Sequence, residues 1–201
     1  MKIVIIKYNA GNVVSVTNTL NRLGIEPIVS DDPELIKSAD KVIFPGVGEA
    51  STAMDYLRER KLDELIISLK QPFLGICLGQ QLMCKHSEEN DTRCLGIFDL
   101  NVVKFEPKLK VPHMGWNKLS DMKGNMFKKM PKKSFIYFVH SYYCEIGNET
   151  IAKSDYINPF SAALHKDNFY AIQGHPEKSG KTGQQFLENF IKLANDHYTS
   201  N

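Results

Sequence analysis

No stretch of the 201-residue chain approaches the ~20 consecutive apolar residues that a membrane span needs. The opening "MKIVIIKYN" has an apolar run of only four residues and no small-residue cleavage site, so it reads as a first strand rather than a signal peptide. Charge of one sign is missing as well. With 25 basic residues against 23 acidic ones and no run of like charges, the chain gives neither a nucleic acid nor a membrane surface anything to grip. The four cysteines, Cys77, Cys84, Cys94 and Cys144, form no CxxC pair and have no ladder of histidines nearby. That argues against a zinc or other metal site and against a disulfide framework, and it fits a reducing cytoplasm. Internal repeats and low-complexity tracts are absent, and the length suits one domain.

What is present is an alternation of two patterns. Residues 2–6, 26–30, 41–46 and 72–77 are short apolar runs rich in β-branched residues, which predict strands buried on both faces. Between them, residues 12–24, 51–70 and 78–86 have helical spacing, the first closed by Gly24. The alternation predicts an α/β fold, a doubly wound and mostly parallel sheet with helices on both faces and ligands at the carboxyl ends of its strands. Past residue 95 the rhythm changes. Residues 95–106, 135–146, 160–168 and 169–175 predict mixed and antiparallel strands, with a turn-rich segment at 121–133. An amphipathic helix is expected over 182–198, with apolar residues at 186, 187, 190, 191, 193 and 194.

The chemistry points to "GICLG", residues 75–79, where a strand passes at once into a helix. Cys77 then sits at the apex of a tight turn, flanked by Gly75 and Gly79, whose missing β-carbons avoid collision there. The arrangement is the nucleophile elbow, with sulfur in place of oxygen. At a helix N-terminus the thiolate is favoured, and the N–H of Leu78 faces the place where an oxyanion would form. Cys84, Cys94 and Cys144 carry no such flanks and read as small core residues. A cysteine nucleophile needs a base, and six histidines compete for that role. His86, His165 and His197 lie in polar surroundings. His175 ends a strand, is followed by Pro176, which stops that strand, and has Glu177 two residues on. Nucleophile, base and orienting carboxylate would then be Cys77, His175 and Glu177.

"GICLGQQ" followed about 100 residues later by "HPE" resembles the class I, or triad, glutamine amidotransferases, and the resemblance extends over nearly the whole chain. "YNAGNVVSV" (8–16), "PGVG" (45–48), "PHMGWN" (112–117), "YFVHSYY" (137–143) and "HPEKS" (175–179) are similar to the glutaminase subunits of imidazole glycerol phosphate synthases. The resemblance implies hydrolysis of glutamine through a cysteine thioester, no cofactor, and ammonia delivered to a (βα)8-barrel cyclase in a heterodimer. It implies an oxyanion hole from Leu78 and the Gly46–Val47 loop, with the Val47 N–H turning inward when the partner signals. Gln81 and Glu89, with the backbone strip of His140, Ser141 and Tyr142, would hold the substrate, while His113, Met114, Trp116 and Lys178 would face the partner. Three positions depart from the family pattern: Lys7 and Asn9, where aspartate and glycine are usual, and Gly174, where phenylalanine is common. These departures leave open an alternative partner that modifies a surface-polysaccharide sugar. Further alternatives, from other classes, are a cysteine peptidase and a silent scaffold subunit.

Overall fold

The computed structural model describes residues 1–8 and 12–194. In chain order the elements are β1 (Ile3–Ile6), α1 (Val13–Arg22), β2 (Ile28–Ser30), α2 (Pro33–Lys37), β3 (Lys41–Gly46), α3 (Ala50–Glu59), α4 (Leu62–Ser68), β4 (Phe73–Cys77) and α5 (Leu78–Met83). There follow β5 (Cys84–Ser87), β6 (Thr92–Arg93), β7 (Phe98–Lys104), β8 (His113–Lys118), β9 (Phe135–His140), β10 (Tyr142–Cys144), β11 (Thr150–Tyr156), β12 (Asn158–Lys166), β13 (Phe169–Ile172) and α6 (Gly180–Ile191).

The frame is a seven-stranded sheet in the order β11-β12-β13-β4-β3-β1-β2. Its five strands from β13 to β2 are parallel, and β12 and β11 extend it antiparallel. The continuous apolar runs of β1, β3 and β4 are buried along their whole length. That is what covering both faces with helices requires. Side chains alternate between the faces: Val4 and Ile6 pack with Phe44, Leu57 and Ile66, whereas Ile3 and Ile5 pack with Leu20, Phe186 and Phe190. Thus α3 and α4 cover one face, and α1 and α6 the other. A four-stranded sheet, β10-β7-β5-β6, and the antiparallel pair β8-β9 stand beside the carboxyl end of β4. None of the described helices is long and apolar enough to cross a membrane.

Several boundaries differ from the sequence expectation. The helical stretch 51–70 breaks at Lys61, whose φ of 55° is left-handed. The helix expected over 78–86 ends at Met83, because Cys84 turns extended and residues 84–87 pair with β7 instead. Residues 135–146 make two strands, β9 and β10, since the chain leaves β8 at Ser141 to join β7. Residues 112–117, too broken by proline and glycine to read as a strand, form most of β8, whose backbone pairs with β9 from His113 to Lys118. The last helix starts at Gly180, two residues early, and ends at Ile191. Residues 195–198 of that expectation, His197 among them, and the departure at Asn9 lie outside the described residues.

Candidate active site

No loop separates β4 from α5, and Cys77 joins them at φ 54°, ψ −108°. A side chain rarely adopts such angles, so the surrounding packing must hold it there. The glycines allow that packing. A β-carbon on Gly79 would lie 1.9 Å from the Phe44 carbonyl oxygen, and one on Gly75 would lie 2.5 Å from Met83 Sδ. The collision expected from the sequence is therefore real at both positions. The Cys77 sulfur receives the Gln173 Nε2–H at 3.7 Å and faces the Val139 carbonyl at 4.0 Å. Leu78 opens α5, so its N–H belongs to the first turn and has no intrahelical acceptor.

His175 follows the end of β13 and is fixed from both sides. Its N–H donates to the Tyr137 carbonyl at 2.8 Å, and its carbonyl accepts from Ser179 Oγ at 2.6 Å. Pro176 starts a single 3-10 turn that brings Glu177 back beneath the ring. Nδ1 of His175 lies 2.8 Å from Glu177 Oε1, with both side chains 0% exposed. The Asn12 amide donates to the same carboxylate oxygen. Asn12 stands where a helix cap would, in the left-handed region at φ 81°, but its side chain makes no cap. Nε2 of His175 has no hydrogen-bond partner among the described residues. Burial, the largest single influence, pushes the imidazole pKa down; the Cys77 sulfur and then Glu177 outweigh it, and the net direction is up. A protonated ring is favoured whenever Cys77 carries negative charge.

A cavity of about 290 Å³ opens beside the elbow. Val47, Cys77, Leu78, Gln81 and Glu89 border it on one side and His140, Ser141 and Tyr142 on the other. Gln81 is tied through Nε2 to the Tyr142 carbonyl (2.9 Å) and to Gln173 Oε1 (3.1 Å), which leaves its own carbonyl oxygen free of those bonds. Glu89 accepts from the Ala50 N–H at 2.8 Å, and burial raises its pKa against that bond. Gly46 pairs in register with Cys77 but does not itself line the cavity, which Val47 borders.

Met114 and Trp116, 58% and 57% exposed, point outward from β8, and Lys178 is exposed in the turn after His175. His113 does not join them. Strand alternation turns it inward, where it is 4% exposed and stacks on Tyr156 with centroids 4.0 Å apart. The expectation of a partner contact at His113 is corrected accordingly. It belongs to a chain of hydrogen bonds instead: Asn117 Nδ2 to His113 Nε2 (3.4 Å), His113 Nδ1 to His140 Nε2 (3.1 Å), and His140 Nδ1 to the Tyr142 carbonyl (2.7 Å). Because the amide and the carbonyl fix the direction, each ring donates from Nδ1 and both are neutral. Burial agrees, holding His113 down at about 4 and, with help from neighbouring imidazoles, His140 at about 3.

Of the departures, Gly174 has a packing reason: a β-carbon there would come 2.8 Å from Ile136 Cγ2. Lys7 is exposed just past the end of β1, where its N–H donates to the Ser30 carbonyl, and does not line the cavity. Asn12, Gln173 and Tyr8 are neighbours of Cys77 and Glu177 that the sequence did not reveal. Asn12 reads only as the first residue of the helical stretch 12–24, Gln173 as part of the strand 169–175, and Tyr8 falls just beyond the strand 2–6.

The glutamine amidotransferase class-I model matches residues 4–193, and the chain belongs to that family. It is 57% identical over 196 residues to the imidazole glycerol phosphate synthase subunit HisH of Bacteroides fragilis, covering 96% of this chain and 100% of that one. To the protein of the same name from Escherichia coli it is 46% identical with the same coverage. Among solved structures, a glutamine amidotransferase superposes with a TM-score of 0.73 at 19% identity, covering 94% of this chain and 98% of that one. A glutamine amidotransferase from Thermotoga maritima matches with a TM-score of 0.64 at 15% identity and coverage of 100% and 86%. These two share the fold.

Proposed function

We propose that this chain is the glutaminase subunit of an imidazole glycerol phosphate synthase, acting as one glutamine amidotransferase domain with Cys77, His175 and Glu177 as its triad. The observation that carries the reading is a buried His175–Glu177 pair set behind a cysteine elbow that opens on a cavity of glutamine size. The HisH subunits, similar over their full length, support the histidine-biosynthetic pathway over a sugar-modifying one.

The Cys77 thiolate attacks the side-chain carboxamide carbon of glutamine. Negative charge then gathers on the former carbonyl oxygen, where the N–H groups of Leu78 and Val47 receive it. The His175 imidazolium gives its Nε2 proton to the departing nitrogen, ammonia leaves, and a glutamyl thioester remains on sulfur. His175, now neutral, takes a proton from water as it attacks the thioester; collapse expels the thiolate and releases glutamate. Glu177 holds the ring through Nδ1 and stabilises its charged form in both halves. The free carbonyl oxygen of Gln81 and the carboxylate of Glu89 suit the substrate's ammonium, and the strip from His140 to Tyr142 suits its other end.

Ammonia released into water near neutral pH would mostly be protonated and lost as a nucleophile. Delivery to a (βα)8-barrel cyclase docked over Met114, Trp116 and Lys178 avoids that loss, and the setting is the cytoplasm. The test is glutamate formation from glutamine in the presence of the cyclase and its nucleotide substrate. Replacing Cys77 by alanine should cut turnover by at least ~10³-fold. Unimpaired turnover by Cys77→Ala would sink the reading.

A further inference from the structure

Tyr8 follows β1, with its ring packed on Phe44 at a centroid separation of 4.9 Å and only 5% of its surface exposed. Its hydroxyl has no hydrogen-bond partner among the described residues. A buried O–H without an acceptor costs free energy on the scale of a hydrogen bond, so it calls for a partner in some other state of the molecule. The surroundings show which group is at hand. The hydroxyl presses on Gly46 so closely that a β-carbon there would lie 2.0 Å from it. Gly46 is in register with Cys77, and the next residue, Val47, borders the cavity. Tyr8 and Phe44 belong to the apolar cluster on one face of the sheet, and Cys77 to the cluster on the other. Burial first, and then the charge of Cys77, push the phenol pKa well above its ordinary value. The phenol therefore stays protonated near neutral pH, able to donate.

The C=O and N–H of a trans peptide point in opposite directions. If the carbonyl of the Gly46–Val47 peptide turns toward Tyr8, its N–H must turn toward the Cys77 side, and a glycine at that joint lets the unit rotate at low cost. We propose that Tyr8 is a positioning residue whose hydroxyl captures the Gly46 carbonyl and thereby holds the Val47 N–H in the oxyanion hole of the partner-activated enzyme. The proposal deepens the glutaminase reading and rests on it. Activation then forms a hydrogen bond that the present state lacks, which biases the peptide toward its catalytic orientation.

Tyr8→Phe removes the oxygen alone. With the cyclase and its nucleotide substrate present, kcat for glutamine hydrolysis should fall about tenfold while KM for glutamine stays within about twofold, because Tyr8 does not border the cavity. The Tm of the free chain should hold or rise, since an unpaired buried hydroxyl has been removed. A purely structural tyrosine gives the reverse pattern, a lower Tm with kcat per folded molecule preserved. A stimulated kcat within about twofold of wild type, a KM that rises as much as kcat falls, or a lower Tm would each overturn the positioning role. If the wild-type protein hydrolysed no glutamine in the same assay, the glutaminase reading would fail and take this proposal with it. Wild-type turnover matched by Tyr8→Phe turnover removes only the proposal.

Discussion

At the scale of single residues the account turns on how Glu177 and Asn12 set the state of His175. Glu177 Oε1 takes a hydrogen bond from the ring and another from the Asn12 amide, with the His175 and Glu177 side chains both buried. Glu177→Gln keeps the shape and removes the charge that favours the imidazolium. Steady-state kinetics should then give a kcat at least ~10²-fold lower, with glutamine KM little changed, by analogy with carboxylate-to-amide changes in other triads. A loss within about threefold would mean that the carboxylate does not act through the histidine. The elbow at Cys77 and the His175–Glu177 pair were legible because each carries a local signal: glycines around Cys77, a proline fixing His175, a carboxylate two places on. Asn12 and Gln173 were not legible, because their roles arise from contacts across 165 and 96 positions of sequence. Local pattern places Asn12 only at the start of a helix, where its side chain makes no cap hydrogen bond.

At the scale of elements the second layer of the site is the hydrogen-bonded line from β8 through β9 to β10. Its two histidines are neutral and buried, with pKa values lowered from 6.5 to about 4 for His113 and about 3 for His140. The unfolded chain binds protons at both residues near pH 6.5 and the folded chain does not. Stability from this pair is therefore complete above pH 6.5 and is lost progressively as pH falls toward 4. The urea midpoint of the wild type should drop between pH 7 and pH 5, and His113→Phe, which keeps an aromatic ring against Tyr156, should flatten that drop. An equal slope in both proteins would contradict the assignment. The sequence missed β8 as a strand because Pro112 and Gly115 interrupt its pattern, although the inward and outward alternation of His113, Met114 and Trp116 is that of a strand once its partner β9 is known. The same holds for β5, where the end of the helix 78–86 was expected: pairing with β7 outweighs local helical spacing.

At the scale of the whole molecule, the parallel strands β1, β3 and β4 and the strand-to-helix elbow followed directly from uninterrupted apolar runs. The four-stranded sheet followed only in part: β7 and β10 fall within the strands expected at 95–106 and 135–146, whereas β5 and β6 are short, half-exposed and paired out of chain order. The fold also sorts the four thiols. All are buried, but among them only Cys77 borders the cavity with Gln81 and Glu89; Cys84 and Cys144 face each other at 3.4 Å in the interior, and burial pushes the Cys94 thiol up to about 12. The sharpest test is to offer the intact chain, with its cyclase partner, a diazoketone analogue of glutamine and to map the adduct by peptide mass spectrometry. The account predicts one adduct per chain, on Cys77, blocked by excess glutamine. An unlabelled chain, or label on Cys84, Cys94 or Cys144 in place of Cys77, would contradict it.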